Sequence, residues 1–223
     1  MARVIAIDGP SGSGKSSTSR RVGRALGFLH VDSGALYRIM TWQCLAQGVE
    51  TSDPAAVAAC AERVQVECRP ENGALAYYVD GEAPGARIRT PEINAHASPV
   101  ATVKAVRDRI TALLRGMARY GDLVVEGRDI TTVVFPDSPA RFYLTASAEV
   151  RARRRQLEEV ATGVANQSAE AVKASLLARD AIDSTRACAP LRKADGVLEI
   201  DSTRLTLDEV VATVLGALPA GWR

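Results

Sequence analysis

Gly9-Pro10-Ser11-Gly12-Ser13-Gly14-Lys15-Ser16 has the spacing G-x-x-x-x-G-K-[ST] of a loop that binds phosphates. Its glycines let successive backbone N–H groups turn inward around a polyphosphate. Lys15 can reach the β- and γ-phosphates, and the Ser16 hydroxyl can ligate Mg²⁺. The segment Gly9 to Ser17 is therefore a candidate site for a nucleoside triphosphate. A glycine-rich turn without a ligand is the bland alternative. The loop by itself does not separate a kinase from a GTPase or an ATP-driven machine.

Four further groups of residues could serve a second ligand. Ser33, Tyr37 and Arg38 follow an apolar run, with Ser33 and Tyr37 on one helix face. A hydroxyl, a phenol and a guanidinium together could hold a phosphorylated molecule, although helix capping by Asp32 or Ser33 accounts for the same pattern. Glu126-Gly127-Arg128-Asp129 is the most polar strand exit in the chain, and a carboxylate such as Glu126 can meet Mg²⁺ through water. Its alternative is a charged turn with an internal ion pair. Arg151, Arg154 and Arg155 share a helix face, where unopposed cations suit a lid closing on transferred phosphate. Pairing with Glu149, Glu158 or Glu159 on a solvated face is the competing account. Arg179, Asp183 and Arg186 share another face, which a surface salt-bridge ladder also explains. Ser98 and Arg107 bracket part of a helical stretch without a role that spacing alone reveals.

The elements that must position these residues follow from periodicity. Apolar runs at Val4–Ile7, Leu29–Val31, Leu123–Val125, Ala140–Leu144 and Gly196–Asp201 predict five strands. Helical stretches are predicted at Ser17–Leu26, Leu36–Ala46, Ser98–Met117, Glu149–Val160, Ala169–Asp183 and Leu207–Leu218. Alternating strands and helices imply an α/β fold, a parallel five-stranded sheet flanked by helices. Ligands of such sheets bind beyond the strands' carboxyl ends, where Gly9, Asp32 and Glu126 all fall. From Val64 to Ile93 the rhythm changes to short alternating segments with turns at Asn72-Gly73 and Asp80-Gly81. This predicts a small antiparallel β insertion of three strands. The polar stretch Ala161–Ser168 reads as a loop.

Composition narrows the function classes. The chain has 223 residues, 47% of them apolar, enough for one α/β domain with an insertion. A formal net charge of +2 argues against bulk binding of nucleic acid. Cys44, Cys60, Cys68 and Cys188 form no C-x-x-C pair, which suggests reduced thiols and a cytoplasmic protein. No signal peptide or membrane span is expected, because the first strand begins at once and no apolar run is long enough.

Taken in order, these strings resemble bacterial cytidylate kinases from Val4 to about Leu218. The resemblance rests on Asp8–Lys15, Asp32–Arg38, Ile88–Ile93, Gly127–Asp129 and Thr132–Pro136. It continues through Arg179-Asp180-x-x-Asp183-Ser184-x-Arg186 and Ala189-Pro190-Leu191. That family is similar to adenylate kinase in its core. The resemblance implies one kinase domain, with core 1–62 and 95–223, a CMP-binding insertion about 63–94 and a lid about 149–168. It implies transfer of the ATP γ-phosphate to CMP or dCMP with Mg²⁺, by a monomer independent of membrane and nucleic acid. Lys15, Arg128, Arg151 and Arg155 would be catalytic. Ser33, Arg38, Arg128 and Arg186 would hold the acceptor phosphate beside Tyr37, and Arg179 and Asp183 would meet the ribose. Ser98, Arg107 and Asp129 would read the cytosine, whose N4 amino group donates while N3 and O2 accept. A carbonyl at position 4 of uracil would oppose Asp129, so CMP should be preferred over UMP. UMP, AMP or shikimate are alternative acceptors, and a nucleotide-binding switch is the alternative from another class. The chain departs from the family at Ser16-Ser17-Thr18 and at Thr131, a place where glycine is common. The latter adds a side chain near the acceptor site.

Overall fold

A strand covered on both faces reads as a near-continuous apolar run, and two segments have one, each run ending at a carboxylate. β1 (Val4–Asp8) and β5 (Leu123–Gly127) are buried along their whole length in a computed structural model, which describes residues 2–161 and 168–222. Val4 and Ala6 of β1 face one core cluster, while Ile5 and Ile7 face the other. The first cluster packs β1 and β5 against α2 (Ser33–Ala46), α3 (Pro54–Arg63) and α5 (Lys104–Gly116). The second packs the opposite face against α1 (Lys15–Leu26) and α8 (Leu207–Gly216).

The five expected strands form a parallel set in the order β2 (Leu29–Asp32), β5, β1, β6 (Ala140–Thr145), β7 (Leu198–Asp201). The sheet has seven strands rather than five, because the insertion joins it. β3 (Val66–Glu71) and β4 (Ala74–Val79) pair antiparallel, and β4 meets β2 through His30↔Ala74. Asn72-Gly73 makes the hairpin turn as expected, with φ of 49° and 77°. The expected third strand of the insertion is absent: Gly85–Arg89 is a 3₁₀ turn, preceded by Pro84. Proline fixes its own φ and donates no N–H, which disfavours continued pairing there.

Other boundaries also differ from expectation. The stretch Ser98–Met117 is not one helix. It divides into α4 (Pro91–Val100) and α5, with an extended Val103 between them and Thr102 Oγ1 donating to Pro99 O at 2.7 Å. Helix α3, unforeseen in the sequence, is started by Asp53, whose carboxylate accepts from Ala55 and Ala56 N, with Pro54 at its first turn. Past β5, Ile130–Val134 forms a single π-helical turn. α6 (Ala148–Ala161) and α7 (Ala169–Thr185) pack on each other as a hairpin. Of the polar stretch expected between them, residues 162–167 lie outside the described residues.

Leu36 on α2 is fully buried beneath the sheet. Leu36→Ala is expected to cost about 2–5 kcal/mol of stability, read from urea unfolding, because the cavity collapses only in part.

Candidate active site

The phosphate loop leaves β1 under tight steric control. Gly9 has φ of 149°, and a Cβ there would stand 2.0 Å from Leu144 O. Gly14, at φ 95°, lies immediately before α1 and turns the chain into that helix. The helix N-terminus thus points at the loop, a favourable arrangement for an anion. Lys15 folds back into the loop, donating to Pro10 O at 2.7 Å and to Ser13 Oγ at 3.4 Å. Burial, with Arg128 nearby, pushes its ammonium down to about 7, although Glu126 and Asp8 partly oppose this. Ser16 Oγ donates to Glu126 Oε2 at 2.9 Å, and His30 Nε2 lies 3.1 Å from Glu126 Oε1.

The loop opens on a cleft of about 1150 Å³. Its lining brings Ser11 to Ser17 together with Ser33, Tyr37, Arg38, Ser98, Glu126, Arg128, Asp129, Arg155, Arg179, Asp183 and Arg186. Residues from six separate stretches of sequence therefore converge on one space. Arg107 stands directly behind it, buried, donating to Asp129 Oδ2 at 2.5 Å and to Ala101 O at 3.0 Å. Its guanidinium also lies over the Tyr37 ring, 5.3 Å from the centroid.

Carboxylates hold the cleft's arginines. Arg38 Nη2 donates to Asp32 Oδ2 at 2.8 Å, and Arg89 from the insertion reaches the same oxygen at 3.3 Å. Burial disfavours the charge on Asp32, yet Arg38 and Arg89 hold its carboxyl down at about 2. Arg128 Nε donates to Asp183 Oδ2 at 3.0 Å, and Arg186 Nη1 to Asp183 Oδ1 at 3.4 Å. These pairs leave N–H groups over. Among the described residues, Arg38 Nε, Arg107 Nε, Arg179 Nε and Arg186 Nη2 are buried without a hydrogen-bond partner. Burial, and next the charge of Arg128, lower Arg179 to about 10. Donors buried without acceptors are costly, so this arrangement awaits an anion.

Several expected residues sit in the cleft but are engaged otherwise than the sequence suggested. Ser33 is buried and donates to Glu126 O at 2.6 Å, so its hydroxyl is directed at backbone. The arginines of α6 are not unopposed. Arg151 pairs with Asp180 and donates to Ser11 O at 3.0 Å, which braces the loop from behind. Arg154 donates to Ser202 Oγ at 2.9 Å and to Ser13 O at 3.4 Å. Arg155 pairs with Glu158 and Glu159, at 3.1 and 3.2 Å. Sequence reasoning missed Asp180, which accepts from Ser11 N at 3.2 Å, and the His30–Glu126 contact. It also assigned nothing to Asp8, although a fully buried carboxylate in an apolar strand is itself a signal.

The family model described as Cytidylate kinase matches residues 5–219. Relatives named cytidylate kinase include one from Streptomyces avermitilis, 44% identical over 216 residues, covering 96% of this chain and 91% of the relative. Another from Mycolicibacterium paratuberculosis is 45% identical over 211 residues, covering 93% and 91%. A third from Shouchella clausii is 40% identical over 211 residues, covering 95% and 93%. Among solved structures, an uncharacterized protein from Eubacterium ventriosum superposes with a TM-score of 0.51 at 11% identity, covering 96% of each chain. That likeness concerns the fold.

The depressed Lys15 has a thermodynamic consequence. At pH 8 the empty site holds Lys15 mostly neutral, whereas a triphosphate beside it favours the charged amine. Binding of ATP in EDTA at pH 8 should therefore take up about one proton, and much less at pH 6, where Lys15 is already charged. Calorimetry in two buffers of different ionisation enthalpy measures this directly.

Proposed function

The chain belongs to the cytidylate kinase family, and from that premise we propose that its cleft transfers the γ-phosphoryl group of ATP to CMP or dCMP, giving CDP or dCDP and ADP. The observation that carries the proposal is the set of three buried guanidinium N–H groups beside a phosphate loop, on the cleft-lining Arg38, Arg179 and Arg186, that have no hydrogen-bond partner among the described residues. An anionic donor and an anionic acceptor together would satisfy them. The reaction needs no covalent enzyme intermediate, because the acceptor phosphate is already a nucleophile. Positioning and charge neutralisation then supply most of the rate.

In this reading the backbone of Gly9 to Ser17 cradles the triphosphate, and Lys15 leaves Pro10 O to follow the phosphates. Arg38 and Arg128 hold the acceptor phosphate with Arg186, while Ser33 fixes the turn at Glu126. Arg179 and Asp183 meet the ribose. Tyr37 supports Arg107, which with Asp129 and Ser98 reads the cytosine. Arg155, from the lid about 149–168, steadies the transferred group, while Arg151 acts through the loop it braces at Ser11 O. The insertion, about 63–94, closes over the acceptor from the core formed by 1–62 and 95–223.

Mg²⁺ fits the residues present. A hydroxyl and a carboxylate oxygen, on Ser16 and Glu126, lie 2.9 Å apart at the loop, the hard oxygen donors this ion prefers. Among the described residues no group of three or more His, Cys, Asp or Glu converges on a cation. That suits an ion held chiefly by phosphates and water. Bound there, Mg²⁺ would neutralise charge on the phosphates. The proposal includes a cytoplasmic monomer that acts on free nucleotides. Its support is four free cysteines and a net charge of +2; among the described residues no helix is long and apolar enough to cross a membrane.

The direct test is ADP release from Mg·ATP with CMP, dCMP, UMP, AMP, GMP and shikimate in turn. Activity confined to CMP and dCMP is the expected result, and activity confined to another acceptor overturns the assignment. Asp129→Asn, which replaces an acceptor-only group by one that can donate, should lower the CMP-to-UMP ratio of kcat/KM at least about tenfold. Lys15→Met should reduce kcat on the order of 10²–10³-fold, with the thermal midpoint little changed.

A further inference from the structure

Asp8 closes β1 and is fully buried, one peptide bond ahead of the phosphate loop. Its carboxylate accepts from Ile130 N at 2.9 Å, Thr131 N at 2.7 Å and Thr131 Oγ1 at 2.7 Å. All three donors belong to the turn that directly follows Arg128 and Asp129. Thr131 is itself fully buried, so its hydroxyl faces Asp8 and is closed to a ligand. The side chain at this position therefore acts on the acceptor site from beneath.

We propose that the Thr131 hydroxyl is a positioning group for the acceptor nucleotide, clamping the turn that carries Arg128 and Asp129 onto the strand that carries the phosphate loop. The proposal rests on the acceptor roles given to Arg128 and Asp129 above. Asp8 and Asp129 are like charges on either side of this turn; burial first, and the charge of Asp129 as well, disfavour ionisation of Asp8. The donors from 130 and 131 offset that repulsion. Both Thr131 donors end on Asp8 Oδ2, so losing the hydroxyl strips one of two partners from a buried carboxylate oxygen.

The two ends of the clamp are unequal. The phosphate loop has other anchors: Gly9 is wedged against Leu144 O, Arg151 donates to Ser11 O, and Asp180 accepts from Ser11 N. The turn's other anchors sit to either side of residues 130 and 131: Arg107 donates to Asp129, Arg128 to Asp183, and Arg115 to Val133 O and Val134 O, whereas Thr131 O itself accepts a long bond of 3.5 Å from Arg141 Nη1. Weakening the clamp should therefore displace the acceptor residues and leave the donor loop in place.

Thr131→Val keeps the shape and removes the donor, whereas Thr131→Ser keeps the donor. Thr131→Val is expected to raise KM for CMP about tenfold, the scale of one lost charge-assisted hydrogen bond, with KM for ATP within about twofold. Thr131→Ser should restore the wild-type value. Amide exchange at 128–131 should quicken in the valine variant and not in the serine variant. An unchanged KM for CMP, or KM values for CMP and ATP that rise together, overturns the proposal. Thr131→Ala supplies the same comparison if the valine protein does not fold. A wild-type protein inactive on CMP would refute the functional reading instead, and the clamp would still be judged by the exchange measurement.

Discussion

Guanidinium groups cannot shed their charge, so a cleft that collects them must supply anions of its own while it is empty. This constraint organises the site. Asp32, Asp129, Asp180 and Asp183 each take an arginine: Arg38, Arg107, Arg151 and Arg128 in turn. Arg38 and Asp32 are six residues apart, but the other three pairs come from distant stretches of sequence, and each ties one element to another. Arg107 joins α5 to the turn after β5, Arg128 joins that turn to α7, and Arg151 joins α6 to α7. Removing one partner of such a buried pair is more damaging than never having built it. The carboxylates therefore hold the fold around the cleft as well as its charge.

The balance is deliberately incomplete in chemical terms. Asp183 serves both Arg128 and Arg186, and Asp32 serves both Arg38 and Arg89. Shared acceptors leave donors unfilled, and those are the orphaned N–H groups beside the phosphate loop. An entering phosphate offers oxygens that compete with the carboxylates for the same guanidinium faces. Because Arg89 comes from the insertion and Arg155 from α6, this competition is felt by the two segments that flank the cleft. In the proposed reaction, substrate charge would be met by ion pairs at the cleft's margins.

The sheet and the loop were legible in sequence because their physics is local. Val4–Ile7 and Leu123–Val125 are continuous apolar runs, as befits strands covered on both faces. Gly9 and Gly14 with Lys15 and Ser16 carry the spacing of a phosphate loop. Resemblance, not local physics, named Ser33, Arg38, Arg128 and Arg186 as acceptor residues, and it named them without their internal partners. What remained hidden depends on tertiary proximity. Nothing in Arg151 announces Asp180 across 29 residues, and the attachment of β4 to β2 rests on one bridge between His30 and Ala74. The split between α4 and α5 escaped notice because Thr102 and Val103 look harmless in a helical stretch, although the chain turns there on the Pro99 carbonyl.

Asp8 shows how the two halves of the site are made commensurate. A parallel sheet delivers its strand ends to one edge but does not fix how far each following turn leans from it. β1 and β5 are neighbours in register, with Asp8 opposite Gly127. A Cβ on Gly127 would lie 2.5 Å from Ser33 Oγ, so the turn must pass close over the sheet edge. Asp8 then captures the chain three residues later, through two amides and the Thr131 hydroxyl. Burial pushes this carboxyl up, to about 6 even against those donors, which favour its charged form. The donors that seat the turn are thus the ones that favour charge on the residue before the phosphate loop, and in the proposed reaction a single buried carboxylate would tie the spacing of the two nucleotide sites to the turn that carries Arg128 and Asp129.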